Sequence, residues 1–396
     1  GRLSGSGTVT ALGKITNQGE IDLGSQGLNL SGGTLINTGL VRGGGTIDNR
    51  MVNSAGGQIR VASGRRLHLT DNLEQGNAGR IDVVGNTTQA AEIEFDGRLT
   101  NAKITGNITA RHAILRFNGG LTNQGSVGIS FGTSDVYGNV DNQAGASITV
   151  TGYSQVTFWD DLTNNGTVKV SEGSTAVYFG KISGGGFLPG DGKHLIEGDL
   201  SPGNSPGNLT FGGDVVLGPS SATLIELAGT DTGEYDQLLI AGDLQIGGQL
   251  QVDLLDGFIP EAGDRFDILD FATQSGSFAA MNLPVLEGGL AWDTSQVLVD
   301  GTLCAGACIV PGTGDYNGNG VVDAADYTLW QDTLGSQLDL RADGNGDGIV
   351  DQDDYLFWND RFGDVVSTGS GAAVPEPTGA LLFTTGVVGL FWQRGR

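Results

Sequence analysis

Two stretches near the end of the chain repeat oxygen-bearing side chains at fixed intervals. They are DYNGNGVVDAAD at 315–326 and DGNGDGIVDQDD at 343–354, starting 28 residues apart (343 − 315). A hard cation such as Ca²⁺ takes about six to eight oxygen ligands, and the pattern D-x-[DN]-x-[DN]-G-x5-[DE] converges them around a glycine turn. The first copy sets Asp315, Asn317, Asn319, Gly320 and Asp326 at positions 1, 3, 5, 6 and 12 of that pattern. The second sets Asp343, Asn345, Asp347, Gly348 and Asp354 at the same positions. Position 9 is Asp323 or Asp351. Position 7 lends a backbone carbonyl from Val321 or Ile349, whose β-branched side chain is expected to pack inward. The chemistry on offer is the binding of two Ca²⁺ ions; the plain alternative is a pair of solvated acidic loops. Loop one brings three carboxylates (Asp315, Asp323, Asp326) and loop two brings four (Asp343, Asp347, Asp351, Asp354). Affinity rises with ligand charge, so the second loop is expected to fill first.

Such loops need elements to hold them. Each runs into a helix-compatible stretch, AADYTLWQDTLG (324–335) and QDDYLFWNDRFG (352–363). Tyr327, Leu329, Trp330 and Leu334 are expected to share one apolar face, matched by Tyr355, Phe357, Trp358 and Phe362. No helix is expected to lead into the first loop, because CIVPGTGD (308–315) carries a proline and two glycines. A loop followed by a helix, duplicated, resembles the type I dockerin module over residues 314–364. The resemblance implies that the paired loops bind Ca²⁺ and that the helices pack together and dock a cohesin domain. Its recognition pairs fall on Ala324–Ala325 and Gln352–Asp353, so the two copies present different surfaces.

The rest of the chain is of another kind. Gly makes up 70 of 396 residues, far above the usual share of about 7%, with no collagen period, so it must serve turns. The apolar fraction of 38% is too high for a disordered acidic chain. A net charge of −25 (20 − 45) excludes a general nucleic-acid binder and suits an extracellular, calcium-bearing role. The three histidines, His68, His112 and His194, are scattered, and no nucleophile-elbow, zincin or P-loop string occurs.

A loose phrase recurs in ITNQGEIDL (15–23), LINTGLVRG (35–43), LTNQGSVGI (121–129), VDNQAGASITV (140–150) and LTNNGTVKV (162–170). Asn101, Asn123, Asn142 and Asn164 lie 22, 19 and 22 residues apart, which fits one coil of a β-helix per repeat. Alternating Val, Ile and Leu predict strands with one buried face. Gly and Asn at the turns are expected to supply φ > 0. Stacked asparagines are expected to form an amide ladder between coils. Residues 1–190 thus read as a right-handed β-solenoid. Its one hint of catalysis is EIEFDG, where Glu92, Glu94 and Asp96 alternate onto one side of a strand. Paired carboxylates suit a glycoside hydrolase or polysaccharide lyase, and a solvated strand face is the alternative.

Residues 191–303 continue the alternation as a closing β-region. LSPGNSPGNLTF, YDQLLIAGDLQIGGQLQVDLLDGF and GDRFDILDF, with the repeats before them, resemble the autotransporter-like β-helical passenger regions of bacterial surface proteins. This implies a surface-exposed solenoid without fixed chemistry. Cys304 and Cys308 open a linker at 304–313 and form either a local disulfide or free thiols.

A flexible linker (365–373) precedes VPEP, an apolar run from Thr378 to Trp392, and Arg394 and Arg396. The run is expected to form a short transmembrane helix with a cytoplasmic C-terminus. Val374, Pro375, Glu376 and Pro377, the apolar helix and the basic end resemble the PEP-CTERM sorting signal over 374–396. That resemblance implies export, and processing by an exosortase-type membrane enzyme in bacteria that make exopolysaccharide. No apolar run opens GRLSGSGTVT, so the chain is expected to lack its natural N-terminus. Taken together these features describe a mainly β protein of the cell surface, with a β-solenoid, a small α-helical calcium-loop domain and a C-terminal helix. Its expected role is structural or adhesive, toward an envelope polysaccharide or a cohesin-like partner. The rivals are a carbohydrate-active enzyme and a cohesin-dependent assembly component.

Overall fold

A computed structural model of the protein describes residues 1–24, 27–306, 308, 313–337, 339–345 and 348–366. From Arg2 to Asn282 the chain winds into a β-solenoid, each coil adding one strand to each of three parallel ladders. The first ladder begins Arg2–Ser4, Glu20–Asp22, Leu40–Arg42 and the second Gly7–Ala11, Leu28–Gly32, Gly45–Asp48. The third begins Ile15–Asn17, Leu35–Asn37, Met51–Asn53 and ends at Ala280–Asn282 after 13 strands. The first two ladders merge into one 22-stranded sheet because strands such as Ser126–Tyr137 and Ser147–Phe158 turn the corner without ending.

Alternation of side chains along each strand sends every second residue inward. The parallel register then stacks like over like: Ile59, Ile81, Ile108, Val127, Ile148 and Val168 follow one another in the first ladder, all buried. In the third ladder the short strand presents an aliphatic residue and an asparagine to the interior, as in Leu99 and Asn101.

The glycines of the Asn-x-Gly phrase serve a different purpose from the expected one. Gly39, Gly125 and Gly166 do not have positive φ. Instead, a Cβ on any of them would strike a backbone carbonyl of the preceding coil, that of Gly19, Gly106 or Ala146 respectively. Close stacking of coils, and not turn handedness, requires glycine there.

The ladders run past residue 190 without a break: Lys193–Ile196 pairs with Thr175–Tyr178 and Phe187 with Thr167. Residues 191–282 are therefore more of the same solenoid, because the alternation and its Pro-Gly turns continue the same stacking. Beyond them, Arg265–Asp267, Trp292–Asp293 and Thr302–Ala305 form a three-stranded antiparallel sheet at the end of the solenoid. Cys304 sits in its central strand and is bonded to Cys308, so it belongs to this sheet and does not open a linker. Two α-helices follow among the described residues, α1 (Ala324–Thr333) and α2 (Gln352–Asn359). Among the described residues no helix is long and apolar enough to cross a membrane. The expected helix and sorting motif at 374–396, with Val374, Pro375, Glu376 and Pro377, lie outside the described residues.

Candidate metal centre

Each acidic loop closes on its own backbone. Asp315 is buried and accepts the N–H groups of Asn319 (3.1 Å) and Gly320 (2.7 Å) on its two carboxylate oxygens. Asp326, wholly buried, accepts those of Asn317 (2.9 Å) and Asp323 (2.8 Å). The second loop repeats the plan: Gly348 donates to Asp343 (2.8 Å), and Asn345 and Asp351 donate to buried Asp354 (3.2 and 2.7 Å). Gly320 and Gly348 have φ of 86° and 88°, the left-handed turn that only glycine takes easily. Asp347 lies outside the described residues.

Positions 9 and 12 also start the helices. Asp323 caps α1 by accepting from Ala325 (2.7 Å), and Asp351 caps α2 by accepting from Asp353 (2.8 Å). In both helices the position-12 aspartate completes a capping box. Four aromatic rings hold the helices together: Tyr327, Trp330, Tyr355 and Trp358, with centroids 5.2–6.0 Å apart. The braces cross over. Trp330 Nε1 donates to the carbonyl of Asp351 (2.7 Å) in the opposite loop, and Trp358 Nε1 donates to that of Asp323 (3.0 Å). Tyr316 Oη donates to the carbonyl of Asp354 (2.7 Å). These polar duties escaped the sequence reading, which took the tryptophans as apolar. The available signal was their equal offset, 15 residues after Asp315 and Asp343 (330 − 315, 358 − 343).

Two expectations need correction. Val321 and Ile349 do not pack inward; they are 37% and 39% exposed, while their neighbours Val322 and Val350 are wholly buried. A position-7 residue whose carbonyl is to face the loop centre must send its side chain away. Leu334, more than half exposed, leaves the apolar face because α1 ends before it, whereas Phe362, though more than half exposed, keeps its ring edge-on to Trp358 at 5.2 Å.

Electrostatics mark the loops as places for positive charge. Burial pushes the Asp326 carboxyl above its ordinary range, and the carboxylates of Asp315 and Asp323 push the same way. Asp354 is raised likewise by burial, with Asp343 adding to it. Among the described residues no Lys, Arg or His pairs with Asp315, Asp326 or Asp354. The donor set of carboxylates, amide oxygens and a backbone carbonyl is the chemistry that hard cations choose.

No family model matches the chain, and no curated protein matches it.

The carboxylates of the solenoid are arranged differently. Glu92, Glu94 and Asp96 do share one side of their strand, yet each already has partners. Glu92 pairs with Arg116 (2.8 Å), Glu94 with Arg66, and Asp96 with His68 (3.0 Å). Asn118 donates to both Glu94 and Asp96 (2.9 Å each). Burial works to raise Glu94 and Asp96, but the hydrogen bonds from Arg66, His68 and Asn118 outweigh it and hold both below the usual range. A general acid for glycoside cleavage needs the opposite shift. His68, Glu94 and Asp96 place ligand atoms within 4.8 Å of one another, and Arg66 and Asn118 already hydrogen-bond to the two carboxylates.

Proposed function

We propose that the protein is an exported cell-surface structural or adhesive protein, in which a β-solenoid stalk carries a calcium-stabilised interaction module of dockerin type. The observation that carries the reading is the pair of loops whose buried aspartates, Asp315 and Asp326 in one and Asp354 in the other, have no cationic partner among the described residues. Asp315, Asn317, Asn319, Asp323, Asp326 and the Val321 carbonyl would hold one ion. Asp343, Asn345, Asp347, Asp351, Asp354 and the Ile349 carbonyl would hold the other. A bound ion would supply the positive charge that the buried carboxylates lack. Because each Trp N–H grips the opposite loop, filling one loop would also steady the helix that follows the other. The tail with Val374, Pro375, Glu376 and Pro377 supports export and exosortase-type processing on sequence grounds. Cohesin-like or polysaccharide partners remain part of this proposal.

Calorimetric titration of the EDTA-stripped full chain with CaCl₂, followed by circular dichroism, is expected to give two ions per chain and a gain in helix. The loop with four carboxylates is expected to fill first. Asp354→Ala should remove the tighter step and Asp326→Ala the weaker, each by about a hundredfold or more in affinity, the scale of losing a charged ligand. Absence of binding heat would sink the calcium reading. Equal filling of both loops at limiting calcium would sink the order.

A further inference from the structure

The charge of the chain is divided along its length. Residues 1–116 hold 12 basic and 9 acidic residues (net +3, from 12 − 9), while residues 117–396 hold 8 and 36 (net −28, from 8 − 36). Part of the basic share collects at the corner between the first and second ladders. Arg42, Arg60 and Arg65 border a depression of about 380 Å³ there. Arg42 is tied to Glu20 and Asp22, whereas Arg60 and Arg111 have no ion pair among the described residues. The same corner runs on through Gly64, Gly85 and His112, joined by backbone hydrogen bonds from Gly64 to Ala90 (2.9 Å) and from Gly85 to Arg111 (2.8 Å).

From His112 onward the corner turns aromatic. His112, Phe131 and Tyr153 occupy it on three successive coils with φ of 44°, 54° and 57°. Bulky residues avoid this left-handed region. Burial does not explain the choice, since Phe131 is 52% and Tyr153 83% exposed. Each ring fills the space over a glycine of the next coil, His112 over Gly132, Phe131 over Gly152 and Tyr153 over Gly173. The Arg111 guanidinium lies 5.0 Å from the centre of the Phe131 ring. The left-handed backbone seats each ring on a glycine of the next coil while leaving much of Phe131 and Tyr153 in solvent, where a ligand can reach them.

We propose that this corner, from Arg42 to Tyr153, is a binding track for an anionic polysaccharide. Coils rise by ~4.8 Å, so the four steps from Arg60 to Tyr153 span about 20 Å, the length of a few sugars. A uronic acid or sulfated chain carries a handful of charges over that distance, of which Arg60 and Arg111 can meet two. Duplex DNA carries one charge per ~1.7 Å, far more than these cations offset, and the strongly acidic remainder of the chain repels it. Tyr153 stacks on the apolar face of a sugar ring, the exposed part of Phe131 lines its path, and Arg60 and Arg111 pair with the acid groups. The track rests on the surface-attachment reading but needs no calcium.

The test is binding of the full chain, in EDTA, to polygalacturonate, hyaluronate and heparin, with fully methyl-esterified polygalacturonate and a DNA duplex as comparisons. Polygalacturonate should bind about tenfold or more tighter than its ester, and added salt should weaken it. Arg60→Ala/Arg111→Ala should erase the preference for the acid form. Phe131→Ala/Tyr153→Ala should weaken both forms about tenfold, with circular dichroism checking that each pair keeps the solenoid folded. Failure of all three anionic glycans, equal binding of the ester, tighter binding of DNA, or full binding by both double variants would overturn the track. Because EDTA is present throughout, such a failure leaves the calcium titration standing, and failure of the calcium titration leaves this result standing.

Discussion

Asn101→Asp is expected to destabilise the solenoid by about 4 kcal/mol at neutral pH, while Asn86→Asp leaves it unchanged. Asn101 is wholly buried in a column of eight asparagines: Asn17, Asn37, Asn53, Asn77, Asn101, Asn123, Asn142 and Asn164. From Asn17 to Asn142 each amide nitrogen donates to the amide oxygen of the next, over 2.7–2.8 Å, and the column ends at Asn164, whose nitrogen has no partner. Direction is set by a second bond of the NH₂ groups from Asn17 to Asn142, which goes to a backbone carbonyl, as from Asn101 to Ser126 (3.2 Å). A carbonyl only accepts, so the nitrogen must face it. Aspartate keeps the size and the bond from Asn77 but turns a donor into an anion facing the oxygens of Asn123, Ser126 and Gly106. Asn86 is the control because its exposed side chain serves as an acceptor, from Thr88 and Gln89, which aspartate does equally well. Urea unfolding at pH 7 measures the difference, and hydrogen exchange in the neighbouring coils shows where it falls. The penalty should shrink toward pH 4, where a protonated carboxyl regains a donor. Equal stability of the two variants would mean that the ladder contributes nothing net.

Acid is expected to weaken the wild-type chain through His194. This imidazole is wholly buried, stacked at 6.0 Å on Tyr178 and set edge-on at 4.9 Å to Phe211. Nδ1 meets Tyr178 Oη at 3.1 Å, and Nε2 has no hydrogen-bond partner. Burial lowers its pKa from 6.5 to about 3. The unfolded chain therefore takes up a proton before the folded one does. Stability is full above pH 6.5 and falls as pH drops toward 3, by about 2 kcal/mol at pH 5 and on the order of 4 kcal/mol at pH 3. Asp236 works the other way: burial raises it to about 6, so the folded state gains protons first and acid favours it. Comparing variants isolates the histidine. Tyr178→Phe/His194→Leu removes both hydrogen-bonding partners together, and between pH 7 and pH 5 the wild type should lose about 2 kcal/mol relative to this variant, Asp236 being common to both. Parallel acid loss in wild type and variant would acquit His194.

The limits of sequence reading show in particular residues. The Asn-x-Gly phrase announced coils, inward asparagines and their ladder, since each depends on alternation within a few residues. It did not announce why glycine follows: Gly39 and Gly166 are needed because a carbonyl of the preceding coil lies against them. The two acidic loops and their helices were legible, because the spacing of the aspartates, the caps and the turn glycines are local. That Val322 and Val350 and not Val321 and Ile349 fill the core was not, nor that each tryptophan reaches across to the other loop. The Glu92–Asp96 triplet looked like paired carboxylates until Arg66, Arg116 and Asn118 were found stacked on it from adjacent coils.

Spacing explains the division. Along the asparagine column successive partners are separated by 20, 16, 24, 24, 22, 19 and 22 residues. The sequence by itself determined the alternation that sends every second solenoid side chain inward and the spacing of the asparagine column, because these follow from neighbours a few residues apart. Only the tertiary structure decided which residue rests on which, how far the solenoid extends and where aromatic rings are held out in solvent. Contacts between coils depend on the summed lengths of every turn between them, and no local pattern carries that sum.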